Sequence, residues 1–266
     1  MALRLAKTLP PEMRPPLLRL ASVDKMFNGD VVALKNMTLQ VNAGDFLSLL
    51  GPSGCGKSTA LRIIADLIRP TRGRVEWAWA GRHERGDLGV VFQDPTLMPW
   101  ATVAHNVWLP FRLAGKSFAS VKGDVLRVLR LVGLEEFINA YPRELSGGMR
   151  MRVSIARAIV TSPRLILMDE PFAALDEITR HKLNNDLLTL KQQIGCTVIF
   201  VTHSVFESVF LSDRIAVMAA RPGRVVTELK VDAPTPRGEA FRTSPDYAAQ
   251  ARHASHALRD AMGEPA

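Results

Sequence analysis

The chain predicts an α/β fold with a mainly parallel core sheet, an antiparallel β layer near the N-terminus and an inserted helical subdomain. Three observations carry that expectation. The runs "FLSLLG", "LGVVFQ", "RLILMDE" and "TVIFVTH" are nearly continuous in Val, Ile, Leu and Phe, the pattern of strands buried on both faces. Helix-like segments separate them, and this alternation is how parallel strands are connected. The stretch from about Asp94 to Val160 is helical in spacing and falls between two of the core strands, as an insertion would.

The elements follow in chain order. "MALRLAKTLPPEMRPP" is basic and proline-rich, with no apolar stretch long enough for a signal peptide, so residues 1–16 read as a flexible tail. "LLRLASVDKMF", "VVALKNMTLQV" and "RVEWAW" read as antiparallel strands, with turns at Asn28-Gly29-Asp30 and Asn42-Ala43-Gly44. After "FLSLL", Leu61, Ile64, Ala65 and Ile68 keep helical spacing until Pro70, and "DVLRVLRLVGL" does so until Gly133. Beyond about Leu229 the periodicity weakens. Residues 231–266 read as a linker, "DAPTPRGEAFRTSPD", and a short helix from Tyr247 to Met262. No internal repeat occurs, so a single nucleotide-binding unit is expected.

Composition narrows the function. At 266 residues and 47% hydrophobic content the chain can build a substantial core. Its formal charge of +8 suits nucleic acid, an anionic membrane surface or a phosphate-rich ligand, without choosing among them. The two cysteines, Cys55 and Cys196, lie far apart and lack metal-ligand spacing, so neither a zinc site nor a disulfide framework is indicated, and a reducing cytoplasm is the natural compartment. The uncharged stretch Pro95 to Phe111 is interrupted by Pro99, His105, Asn106 and Pro110 and fails as a spanning helix, so any membrane role is peripheral.

The chemistry begins at "GPSGCGKST". Gly51, Gly56, Lys57 and Ser58 fit G-x-x-x-x-G-K-[ST], and the strand before and helix after supply the context that pattern needs. This makes the expected fold a P-loop NTPase. Glycines let successive N–H groups converge on phosphate oxygens, and the helix adds its positive end. The run Gly51, Pro52, Ser53, Gly54, Cys55, Gly56, Lys57, Ser58 and Thr59 is the expected ATP cradle, with Lys57 reaching the β- and γ-phosphates and Ser58 binding Mg²⁺. Cys55, beside Lys57 and a helix N-terminus, is expected to carry a reactive thiol. "LILMDE" delivers Asp169, for Mg²⁺, and Glu170, to polarise water, to a carboxyl-end strand edge. These two motifs alone leave kinases, GTPases, helicases and transport ATPases open.

"LSGGM", Leu145 to Met149, resembles the L-S-G-G-Q signature of the ATP-binding cassette family, and the likeness spans about Leu17 to Leu229 with the family's other motifs in order. Gln93 in "VFQD" is similar to the Q-loop glutamine, Asp176 in "AALD" to the D-loop aspartate and His203 in "FVTH" to the switch histidine. Phe27 resembles the aromatic that stacks on adenine. The resemblance implies a nucleotide-binding domain over 17–230, with its helical subdomain at about 94–160. It implies that Ser146, Gly147 and Gly148 close on ATP held by a second copy, that Gln93 contacts Mg²⁺ and the attacking water, and that His203 meets the γ-phosphate. Met149 and Met151 stand where Gln is usual or frequent, and Ala173 where Ser is common.

"FQDPTLMPWATVAHNVWLP", "EPFAALDEITR" and "LSDRIAVMAARPGRVV" resemble the importer ATPases for nitrate, sulfonate and taurine. That likeness implies a homodimer at the cytoplasmic face of the inner membrane, beneath two transmembrane permease subunits served by an external solute-binding protein, and no nucleic acid partner. Other cargo, such as a hydroxymethylpyrimidine, stays open. A soluble cassette ATPase acting on ribosomes or DNA is the main rival, although heptads are absent. A small-molecule P-loop kinase is a second rival, with no use for "LSGGM" or His203.

Overall fold

The computed structural model describes residues 14–27, 30–78 and 87–263, and the chain divides into two compact units, 1–81 with 197–266, and 82–196. In the first unit β1 (Pro16–Phe27) pairs antiparallel with both β2 (Val31–Asn42) and β4 (Arg72–Trp77). Of the two expected turns, Asn42 to Gly44 links β2 to β3 (Phe46–Leu50), while Asn28 and Gly29 lie outside the described residues.

β3 runs parallel to β7 (Thr197–Thr202) on one side and β8 (Arg214–Ala219) on the other, and β9 (Arg224–Lys230) closes the edge antiparallel to β8. Every residue of β3 and of β7 is buried, as their unbroken apolar runs require. The helices of this unit are α1 (Lys57–Ile64), α6 (Val205–Leu211), α7 (Glu239–Arg242) and α8 (Pro245–Met262). α1 stops at Ile64, short of the expected Pro70. Asp66 takes φ 57°, and the Leu67 and Ile68 N–H groups both turn back to the Arg62 carbonyl, so Ile68 leaves the helical face.

Two boundary expectations need correction. The segment 1–16 is not wholly a tail: β1 starts at Pro16, the Ala43 N–H donates to Pro15 O, and Arg14 pairs with Asp45 (3.3 Å) and Asp213 (3.0 Å). Asp45 is fully buried and also meets Arg214 at 2.8 Å, while Asp213 also meets Arg237 at 3.3 Å. Burial raises the Asp45 carboxyl above its ordinary value, against the opposing pull of Arg214 and Arg14.

After Val231 the expected helix is present as α8, and the residues leading to it, though without regular structure to 238, are anchored rather than loose. Arg237 donates to the carbonyls of Phe210 and Ser212, Phe241 and Tyr247 are buried with ring centroids 5.3 Å apart, and the Tyr247 hydroxyl donates to Phe206 O at 2.9 Å. The anchoring groups are sparse in sequence, so no apolar period announces them.

In the second unit β5 (Leu88–Val91) runs parallel to β6 (Leu165–Asp169). The helices are α2 (Val103–Leu113), α3 (Phe118–Leu131), α4 (Gly147–Ile159) and α5 (Glu177–Ile194), capped by the side chains of Thr102, Ser117, Ser146 and Asp176 respectively. α4 lies so close on β5 that a Cβ at Gly89 would stand 2.4 Å from Ala158 O. Gly133, at φ 67°, ends the α3 segment where the sequence places its stop.

Candidate functional site

In the first unit, buried β3 delivers Gly51 to a loop in which Gly54 (φ 76°) and Gly56 (φ 95°) occupy the left-handed region. α1 begins at Lys57 with no side-chain cap and no acidic residue in its first turn, so its positive end meets no competing carboxylate. Lys57 is 4% exposed, and its ammonium donates to the carbonyls of Gly51 (2.8 Å) and Pro52 (2.9 Å), which hold it inside the loop. Ser58 and Thr59 are half-buried on the first turn of α1, and Ser53 and Gly54 are exposed at the loop's tip. A tight loop, a buried cation and an uncapped helix N-terminus form a donor set that fits a polyphosphate.

Cys55 corrects an expectation. Its side chain is 1% exposed and packs beneath Gly51, where a Cβ would come within 2.7 Å of the sulfur. The thiol therefore faces the core, and the reactivity expected from its neighbours has no path to solvent.

The loop is also held from behind. A Cβ at Gly56 would meet Ala33 O at 2.7 Å, and one at Gly223 would meet Cys55 O at 2.1 Å and Ala33 O at 2.7 Å. The Gly223 N–H donates to Ala33 O (3.1 Å), and the Lys35 N–H donates to Gly223 O (3.0 Å). The turn between β8 and β9 is thus wedged against both β2 and the phosphate loop. Sequence reasoning missed Gly223, whose one signal is the "RPG" turn between two strand-like runs.

The register Leu50↔Thr202 brings Gly51 and His203 out of neighbouring parallel strands at one level. His203 is exposed, and its turn is pinned below by a buried network that the sequence did not reveal. Thr202 Oγ1 donates to Glu207 Oε2 (2.6 Å) and accepts from the Ser204 N–H (2.9 Å), while Ser204 Oγ accepts from the Glu207 N–H (3.2 Å). Phe27 stands at the exposed end of β1, with the Lys25 ammonium 4.9 Å from its ring centroid.

In the second unit the register Val91↔Met168 sets Gln93 and Glu170 each two residues past paired positions of adjacent strands. Gln93 is exposed, Asp169 and Glu170 are half-buried, and Glu170 takes φ 45°, a strained conformation for a side chain of its size. Arg157 secures the segment after Gln93, donating to Pro95 O (2.8 Å), Thr96 O (2.9 Å) and Thr96 Oγ1 (3.1 Å). Desolvation on burial lowers the Arg157 pKa from its usual high value.

Further along, the fully buried Asn106 accepts from the Met98 N–H (2.7 Å) and donates to the carbonyls of Met98, Ala101 and Thr102. This turn holds Trp100 out at 77% exposure. Trp108 instead packs edge-on to Phe118 at 5.7 Å.

Ser146 caps α4 by accepting from the Met149 N–H at 3.3 Å, and its exposed hydroxyl keeps a proton to donate. A Cβ at Gly148 would stand 2.8 Å from Thr179 Cγ2, so the start of α4 packs on the first turn of α5. There Asp176 Oδ1 accepts from the Thr179 N–H at 2.9 Å, and that bond holds its carboxyl below the ordinary range. Ser146, Gly147, Gly148 and Asp176 thus come together through two adjoining helix N-termini. Met149 contributes its backbone to the cap, which the side-chain change leaves intact, and Met151 is buried in the core, where an apolar side chain belongs.

A family profile described as ABC transporter matches residues 34–173. A nitrate import ATP-binding protein of Synechocystis is 40% identical over 235 residues, covering 85% of this chain and 88% of the relative. A taurine import ATP-binding protein of Rhizobium johnstonii is 42% identical over 224 residues, covering 82% and 86%. Among solved structures, a dimeric ATP-binding cassette in a post-hydrolysis state with ADP and phosphate has a TM-score of 0.70 and 35% identity, covering 82% of this chain and 100% of that one. With its phosphate loop, its capped signature helix and these likenesses together, the chain belongs to the ABC transporter family and is one of its ATPases.

Proposed function

We propose that this ATPase energises import of a small solute of the nitrate, sulfonate and taurine kind, as one of two identical copies beneath a pair of permease subunits at the cytoplasmic face of the membrane. A solute-binding protein outside the cell delivers the cargo. The relatives named for nitrate and taurine import support this reading, and no helix among the described residues is long and apolar enough to cross a membrane. Nucleic acid is not a partner in this scheme.

The observation that carries the chemistry is the buried Lys57 ammonium inside a glycine loop at an uncapped helix N-terminus. In this reading residues 51–59 bind the phosphates of ATP, and Phe27 stacks on the adenine. Ser58, Asp169 and Gln93 hold Mg²⁺, which supplies charge neutralisation along the phosphate chain. Glu170 takes a proton from the attacking water, Gln93 orients that water, and His203 donates a hydrogen bond to the terminal phosphate. Ser146, Gly147, Gly148 and Asp176 address the nucleotide of the second copy, a two-fold arrangement in which each surface is used twice.

The test separates binding from hydrolysis. Glu170→Gln should keep ATP binding and accumulate as a dimer on size-exclusion chromatography with ATP and Mg²⁺, while phosphate release falls about 10²–10⁴-fold. Lys57→Ala should lose binding itself. Unchanged hydrolysis by the Glu170 variant would overturn the role given to that carboxylate.

A further inference from the structure

In the first unit a groove of about 540 Å³ lies between α8 and the β8–β9 edge, formed wholly by residues 209–254. We propose that it is a binding site for a small organic cation with an apolar body. The groove is separate from the phosphate loop and from the His203 turn, and the proposal does not depend on what the transporter carries.

The floor is apolar: Val209 of α6, Ile215 of β8, Leu229 of β9 and Val231 just beyond it, with Ala254 closing it from α8. Sites for small molecules combine such a floor with a few polar groups, in volumes of about 300–1,000 Å³. The walls are tied at defined points. The Gln250 side-chain amide accepts from the Asp232 N–H (2.9 Å) and donates to Asp232 O (2.5 Å), a two-point brace between helix and strand exit. The Tyr247 hydroxyl bonds to Phe206 O at 2.9 Å and Ser244 caps α8 through the Tyr247 N–H at 3.1 Å, so the helix cannot slide in to fill the space.

Charge selects the ligand. Asp246 and His253 lie on the helix wall and Lys230 and Asp232 on the strand wall, and with a neutral histidine these sum to −1 (two carboxylates against one ammonium) on a chain whose formal total is +8. Asp246, Gln250 and His253 recur at i, i+4 and i+7 and so line one side of α8, with the carboxylate and the imidazole about 10 Å apart along the axis. An ammonium is held by Asp246 on the helix wall or Asp232 on the strand wall, and its hydrocarbon lies over the half-buried Leu229. The site also reaches the machinery of the cassette. Val209 belongs to the helix that follows the His203 turn, and Ile215 belongs to β8, the strand paired with β3.

The test uses the full chain and two nearly isosteric probes, phenethylamine and 3-phenylpropionate, followed by isothermal titration calorimetry without nucleotide. Saturable one-to-one binding of the amine is expected, with the carboxylate at least about tenfold weaker. Asp246→Asn, an exposed substitution, should weaken amine binding about fivefold, and Ala249→Trp, which fills the groove from its exposed rim, should remove it. Retained ATP binding by both variants shows that they are folded. Absence of saturable amine binding, equal binding of the carboxylate, or amine affinity unmoved by both substitutions would each overturn the proposal.

Discussion

Gly223→Ala should damage a phosphate loop that lies more than 160 residues earlier in the chain. The added Cβ would stand 2.1 Å from Cys55 O and 2.7 Å from Ala33 O, and both oxygens are backbone. A carbon–oxygen contact settles near ~3.3 Å, so the loop or the turn must retreat by about 1 Å. No flexible side chain is there to yield. Overpacking of this kind costs about 1–3 kcal/mol, which for a chain of this size lowers Tm by about 3–10 °C. The larger effect falls on function, because a displacement of about 1 Å in positioning groups can cost about 10²-fold in rate. Thermal melts, fluorescent-nucleotide titration and phosphate release measure the three consequences. Gly123→Ala is the control: it lies in α3 with nothing within 4 Å of the added Cβ and should stabilise slightly. If Gly223→Ala melts and hydrolyses ATP like the parent protein, the turn does not brace the loop and the packing argument fails.

Asn106→Leu should cost about 1–3 kcal/mol, since it strands the Met98 N–H and the Ala101 carbonyl, while the Met98 and Thr102 carbonyls keep the backbone N–H groups of Ala101 and Asn106; urea melts read the loss, and a change below about 0.5 kcal/mol would contradict it. Asp45 has a pH signature. Its folded pKa is raised above 3.8, so between that value and the raised one the folded state holds more protons than the unfolded, and this group makes stability fall as pH climbs through the window. Asp45→Asn should remove that slope from urea melts taken as pH rises above 3.8, whatever it does to stability overall. Trp100→Ala should leave ATP binding intact and weaken co-purification with the permease, because an indole at 77% exposure on a braced turn is an apolar contact awaiting a partner; an undiminished complex would reject that seat.

What was legible in the sequence follows physical rules that act locally. β3 and β7 could be read because burial on both faces demands unbroken apolar runs, and the start of α4 because Ser146 caps it within three residues. The phosphate loop was legible because its backbone demands are met by Gly54 and Gly56 in place. What escaped depends on partners remote in sequence. Arg14 looks like part of a basic tail until Asp45 and Asp213 are beside it, 31 and 199 residues away. Gly223 looks like any turn glycine until Cys55 and Ala33 stand against it. Cys55 was misjudged for a related reason, since neighbours in sequence forecast its electrostatics but not the direction of its side chain.

The helix α4 also acts as a ruler. At one end Ser146 and Gly148 fix the signature turn against Thr179, and at the other Arg157 grips Pro95 and Thr96 just beyond Gln93. Arg157 lies eleven positions after Ser146, a span of about 16 Å along the axis. Substitutions between them change a surface, but one inserted residue would rotate the signature by about 100° relative to the arginine and break one attachment or the other. Spacing, rather than residue identity, is therefore what this stretch must keep: a chain can carry Met149 in its signature and retain the cap, yet cannot gain or lose a single position before Arg157 without separating Gln93's loop from the turn that begins at Ser146.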